Sequence, residues 1–179
     1  GPTVADDIKT SAIWSILFAL IAIALYILIR FRNIAFSAGA VVGLVHDVLF
    51  ILGIYSIFYS IMPFSLEIDQ SFIAAILTVI GYSINDTVVV FDRIRENVGL
   101  YPKRALNELI NMSVNSTLSR TFSTSFSTAL PLLAMFIFGG ETIRGFVFAI
   151  LLGVIVGTYS TIFIASPIAY DIQQKQAKK

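Results

Sequence analysis

Apolar runs of membrane length recur at residues 11–29, 36–61, 71–91, 116–138 and 143–165, and these five segments decide what the chain can fold into. About twenty apolar residues are what an α-helix needs to cross the hydrocarbon core, where every backbone N–H and C=O must be satisfied within the helix itself. A water-soluble fold has no use for five such runs in 179 residues, of which 57% are apolar and 13% charged, with a mean hydropathy of +0.87. The expectation is therefore an all-α polytopic bundle of five transmembrane helices surrounded by membrane lipid. The net charge of +1 says nothing about nucleic acid, but no basic patch with interleaved aromatics occurs, so no nucleic-acid partner is expected. With no cysteine and a single histidine, His46, neither a thiolate nor a multi-histidine metal site can be built, so no metal and no cofactor are expected.

The ends and connections refine this picture. The chain opens Gly1-Pro2 without an initiator methionine, which reads as the scar of a cleaved tag on an excised fragment, so residues 1–10 are expected to be scar plus a polar lead-in. Trp14 and Tyr26 flank the first run, where aromatic rings favour the interface, and Arg30-Phe31-Arg32-Asn33 ends it. The second run carries His46-Asp47 near its middle and is closed by Pro63. Leu106, Leu109, Ile110 and Val114 recur at helical spacing, which predicts a short amphipathic interfacial helix at about 102–114. Residues 168–179 read as a polar tail beyond Pro167.

Basic residues set the orientation. Arg30, Arg32, Arg93, Arg95, Lys103, Arg104, Lys175, Lys178 and Lys179 fall on one side, nine against Lys9 and Arg144 on the other. The positive-inside rule makes the richer side cytoplasmic, with the N-terminus outside and the C-terminus inside. Gly39-xxx-Gly43 and Gly153-xxx-Gly157 would let helix backbones approach closely.

Charged residues well inside such runs are few, Asp47, Asp86 and Arg120, with Arg144 at the edge of the fifth. A carboxylate in hydrocarbon costs several kcal/mol, roughly, so it should face a partner, a wetted cavity or a proton. Asp86 lies six residues, about 9 Å of helix, before the charged end at Asp92. Arg120 lies about one turn inside the fourth run, which places the two groups at similar depth on antiparallel neighbours and makes a hydrogen-bonded pair plausible. Desolvation favours the neutral acid and a guanidinium favours the carboxylate, so a small movement can decide which form wins. That is what a proton carrier needs. Arginine keeps its own proton and would serve as counter-charge. Asn85, Ser83 and Thr87 are candidates to hydrogen-bond the carboxylate, and the hydroxyl stripe Ser116, Ser123, Thr124 and Ser127 would line a path beside Arg120. The bland alternative is a static buried ion pair that sets helix register. An imidazole is suited to proton relay, but His46 and Asp47, adjacent on a helix, diverge by about 100° and cannot both face one cavity squarely. No nucleophile elbow, H-E-x-x-H, Gly-x-Gly-Asp or P-loop pattern occurs, so no enzyme is expected.

The run Gly81-Tyr82-Ser83-Ile84-Asn85-Asp86-Thr87-Val88-Val89-Val90-Phe91-Asp92-Arg93-Ile94-Arg95-Glu96 closely resembles the signature of the SecF family, the smaller half of the SecD/SecF accessory translocase of bacterial membranes. Val45-His46-Asp47-Val48, Ser119-Arg120-Thr121, Phe138-Gly139-Gly140 and Gly157-Thr158-Tyr159-Ser160 match as well. The resemblance implies a member of the resistance-nodulation-division superfamily that works with SecD in the inner membrane, using the proton-motive force to assist Sec-dependent protein export. By position it implies that Asp86 is the proton-binding aspartate and Arg120 its nearby arginine. It further implies SecYEG as a partner, possible association with YajC and YidC, and a preprotein engaged through a periplasmic domain that this sequence lacks. The chain looks like spans two to six. The alternatives are a non-conducting scaffold for SecD and the Sec channel, or half of another proton-coupled exporter of the same superfamily.

Overall fold

The computed structural model describes residues 2–177. Its helices are α1 (Pro2–Phe31), α2 (Ile34–Phe58), α3 (Gln70–Leu100), α4 (Leu106–Phe138), α5 (Glu141–Ser160) and α6 (Ser166–Ala177), with a π-helical turn at Thr161–Ala165 joining the last two. Five stretches are long and apolar enough to cross a membrane, the fifth being Glu141–Gln176. The expected all-α bundle of five spanning helices is what forms. Gly1, assigned to a tag scar, and Lys178 and Lys179, counted as cytoplasmic charges, lie outside the described residues.

Helix ends depart from the hydropathy limits for local reasons. Arg32 takes a left-handed conformation, φ 52°, and Asn33 Oδ1 accepts from the Ala35 amide at 2.9 Å, so α2 starts at Ile34 rather than 36. It stops at Phe58, short of the expected Ile61, as the chain bends toward Pro63. Asp69 caps α3, its Oδ1 accepting from the Phe72 amide at 2.9 Å and the Ser71 hydroxyl at 2.6 Å. Partial burial pushes the Asp69 carboxyl up, but these hydroxyl and amide donors outweigh it and hold the group below its ordinary value. The cap is thus fully effective above the ordinary carboxylate range and weakens as pH falls through it.

Three expectations fail where charge or proline was taken for a helix end. The third helix does not stop near Phe91 but runs on to Leu100 as a charged stalk with an Arg93–Glu96 pair at 2.7 Å, because charges end a membrane crossing without ending helical hydrogen bonding. The segment 102–114 is not a separate interfacial helix: from Leu106 it is the opening of α4. Asn97 Nδ2 donates to Ser113 Oγ at 2.7 Å and Arg93 Nε to Ser116 Oγ at 3.2 Å, so this opening packs on the α3 stalk instead of lying apart on the surface. Pro167 does not release a polar tail. The wide π turn before it lets the Ser166 amide and hydroxyl both reach Thr161 O, the hydroxyl at 2.8 Å, and the helix continues to Ala177.

α3 and α5 form the middle of the bundle, with α2 against both. Ile13, Trp14, Phe18 and Ile29 on α1, and Phe122, Phe126 and Phe138 on α4, are exposed, as side chains facing lipid can be. Small residues bring the central helices together. A Cβ on Gly39 would lie 2.5 Å from Ala165 O, and one on Gly157 would lie 3.0 Å from Ser83 Oγ. Two apolar clusters result. One gathers Leu44, Val48, Ile51, Tyr55, Phe72, Ile76, Val79, Ile80, Ile150 and Val154; the other gathers Ile27, Phe31, Phe36, Ala40, Val90, Phe91, Ile94 and Ala165. Along α3 the first ends at Ile80 and the second begins at Val90, and the buried residues of α3 between them are the polar Ser83, Asp86 and Thr87.

At the far end of the first cluster the Tyr55 hydroxyl donates to Gly145 O at 2.5 Å, tying α2 to α5, with the ring 2% exposed. Tyr55→Phe is expected to cost about 1 kcal/mol, the net worth of one buried hydrogen bond. Thermal unfolding in detergent reads it, and an unchanged midpoint would mean that the bond contributes nothing.

Candidate functional site: a polar layer inside the bundle

Between the two apolar clusters, α2, α3 and the α5 end each place polar side chains toward the axis. Asp47 is 0% exposed, and both of its oxygens are engaged. Ser83 Oγ on α3 donates to Oδ2 at 2.7 Å and Ser160 Oγ at the end of α5 donates to the same oxygen at 2.9 Å. His46 Nδ1 lies 3.2 Å from Oδ1. The divergence of His46 and Asp47 along the helix does not keep their side chains from meeting. Their helix positions diverge, but the imidazole reaches back, its ring near Phe50 and Tyr159 and its side chain 33% exposed. One carboxylate thereby joins three helices.

The layer continues one turn along α3. Thr87 Oγ1 donates to Ser83 O at 3.2 Å and shares a 2.9 Å contact with Thr161 Oγ1 in the π turn, linking the layer to the place where α5 changes pitch. Removing the acceptor tests the three-helix joint. Asp47→Ala leaves the Ser83 and Ser160 hydroxyls without their partner and opens a cavity, so a loss of about 3 kcal/mol is expected, while Asp47→Asn, which still accepts, should retain most of the stability. Equal unfolding midpoints for the two variants would contradict this account.

Asp86 is also buried, 4% exposed, yet its Oδ2 has no hydrogen-bond partner. The expected local donors are occupied elsewhere: Ser83 serves Asp47, Thr87 serves the α3 backbone and Thr161, and Asn85 is exposed. Successive residues on a helix turn by about 100°, and Asp86 occupies the buried face that Asn85 leaves. Arg120 is exposed on α4, and among the described residues no ion pair joins it to Asp86; the ion pairs are Arg30–Asp92, His46–Asp47 and Arg93–Glu96. Of the expected hydroxyl stripe, Ser116 bonds Ser113 O, Thr124 bonds Arg120 O, Ser127 bonds Thr124 O and Ser123 is exposed. Ser116, Ser123 and Ser127 are exposed and Thr124 is half-buried. The buried hydroxyls of α4 are instead Ser113, Thr117, Thr121 and Ser125, a different face of the same helix.

Sequence reasoning gave Ser160, Thr161 and Thr121 no role, although Ser160 and Thr121 stand in the quoted motifs. Ser160 and Thr161 stand in an apolar run whose hydropathy hid them, and they gain meaning only because Gly157 and the π turn bring that part of α5 against Ser83 and Thr87. Among the described residues no cluster of three or more histidine, aspartate or glutamate side chains is arranged to hold a metal ion.

The fold and this layer define a polytopic α-helical membrane protein with two carboxyl groups buried between its helices. The family model described as protein export membrane protein SecD/SecF, C-terminal, matches residues 1–175, and the chain belongs to that family. It is 54% identical to the protein translocase subunit SecF of Rhodothermus marinus over 179 residues, covering 100% of this chain and 58% of that protein. It is 48% identical to the SecF subunit of Rhodobacter capsulatus over 172 residues, covering 96% of this chain and 50% of that protein. The chain thus spans about half the length of these curated relatives. A crystal structure of SecDF in a super-membrane-facing form superposes with a TM-score of 0.84 at 39% identity, over 95% of this chain and 22% of that one.

Proposed function

We propose that this chain is the membrane part of a SecF-type subunit that uses the proton-motive force to assist Sec-dependent protein export, with the proton bound at Asp86. The observation that carries the reading is the buried Asp86 carboxyl, one of whose oxygens lacks a partner while Asp47, on the neighbouring helix, has both oxygens engaged. A fully bonded carboxylate is a structural group. A buried one left short of donors favours taking a proton. Arg120, one residue from the α4 position facing Asp86, supplies counter-charge in the same half of the membrane. Protonation changes which helix arrangement is favoured, and the π turn beside Thr87 is where α5 can yield.

In this reading the partners are SecD, the SecYEG channel, and YajC and YidC in the same assembly, with the preprotein engaged by a periplasmic domain. The subunit sits in the bacterial inner membrane as a member of the resistance-nodulation-division superfamily, its N-terminal end periplasmic and its C-terminal end cytoplasmic. Infrared difference spectroscopy on the chain in lipid tests proton binding directly. A carboxyl C=O band that comes and goes with pH and is absent from Asp86→Asn is expected, whereas no Asp86 band at any pH would make this chain a non-conducting scaffold.

A further inference from the structure

Two buried polar atoms on facing helices lack partners: Asp86 Oδ2 on α3 and Thr121 Oγ1 on α4. Their register follows from the bonds on either side. Tyr82 OH donates to Ser125 Oγ at 3.2 Å, and further along Arg93 reaches Ser116 and Asn97 reaches Ser113. One turn on from Tyr82 is Asp86, and one turn back from Ser125 on the antiparallel helix is Thr121. Both residues are buried, 4% and 2% exposed. The buried hydroxyls of α4 otherwise have partners: Ser113 bonds Leu109 O, Thr117 bonds Ser113 O, and Ser125 meets Thr158. Thr121 alone among them has no hydrogen-bond partner, although each buried polar atom left unsatisfied costs about 1–3 kcal/mol.

We infer that Thr121 is the positioning residue for Asp86: the two orphaned atoms are not bonded to each other in this structure, and a small closing of the α3–α4 seam lets the hydroxyl donate to the carboxyl oxygen. The inference rests on the proposed proton binding at Asp86. A threonine hydroxyl is neutral and rotates, so it donates to that oxygen in the ionised form and to the C=O of the acid, more strongly to the former. Arg120, exposed one residue away, carries charge without being held in the seam. The remaining titratable groups of the packed helices at this level are His46 and Asp47 on α2, bonded to each other; Tyr82, bonded to Ser125; and Tyr159, exposed on α5. None of them competes for the Asp86 oxygen.

Infrared difference spectroscopy on the full chain in lipid provides the test. With the Asp86 band assigned, Thr121→Val, which keeps shape but removes the hydroxyl, is expected to move the C=O stretch to higher wavenumber. Thr121→Ala should do the same, and Thr121→Ser should restore the original position. A band that appears with pH and keeps its wavenumber in both Val and Ala variants overturns the role of Thr121 and leaves proton binding standing. A band that never appears overturns proton binding and this inference with it.

Discussion

Asp86→Asn, placed in a full-length SecF–SecD complex carrying this membrane segment, is expected to abolish the proton-driven component of export. Asparagine has nearly the shape of aspartate and is uncharged, so the bundle should assemble: among the described residues Asp86 has no ion-pair partner, and Arg120, its proposed counter-charge, is exposed rather than buried. What is lost is the capacity to bind and release a proton. Translocation into inverted membrane vesicles should fall to the level seen with the proton gradient collapsed, with no further fall when the gradient is then removed. Asp47→Asn is the informative companion. Its carboxylate is fully bonded by Ser83, Ser160 and His46, so the reading assigns it to architecture, and gradient dependence should survive. Export that remains gradient-dependent in Asp86→Asn would place the proton elsewhere and leave this chain as a scaffold.

The largest structural effect is expected at Gly153. A Cβ there would sit inside the Val79 side chain, which belongs to the buried core and is 0% exposed. Valine is stiff at χ1 and has no open space to turn into, so relief must come from separating α3 and α5. Those are the helices that align Ser83 with Ser160 and Thr87 with Thr161. Overpacking commonly costs about 1–3 kcal/mol, and Gly153→Leu adds four carbons where the first already overlaps, so a loss at or above the top of that range is expected. Gly81, on α3 two residues from Val79, is the control. It meets nothing within 4 Å, so Gly81→Ala should be neutral or stabilise by up to about 1 kcal/mol through helix propensity. Thermal unfolding in detergent with both variants decides the matter. A Gly153→Leu variant as stable as the parent would mean that the seam tolerates separation.

The spanning helices were legible because hydropathy is additive over a run and a membrane accepts little besides a closed helix. Their ends were less so. Whether Asp92, Val114 or Pro167 stops a helix depends on what receives the next turn, and here the α3 stalk, the Ser113–Asn97 bond and the π turn receive it. The polar layer was half legible. Asp47 and Asp86 stand out against apolar neighbours, but the same signal cannot say which of the two is satisfied. Ser83 turned from Asp86 to Asp47 because α2 and α5 approach α3 on the face that Ser83 shares, and the buried hydroxyls of α4 proved to be Ser113, Thr117, Thr121 and Ser125 rather than Ser123 or Thr124.

By itself, the sequence determined the class of fold, the number of crossings and the short set of residues whose burial must be compensated, since each follows from transfer free energies that belong to single side chains. Partnership was decided only by the tertiary structure. A hydrogen bond depends on which of several hydroxyls a helix rotation of about 100° per residue presents, and on how closely Gly39, Gly153 and Gly157 let neighbouring backbones come. Such choices are made between helices, where one carboxylate received three partners and the other an unfilled acceptor.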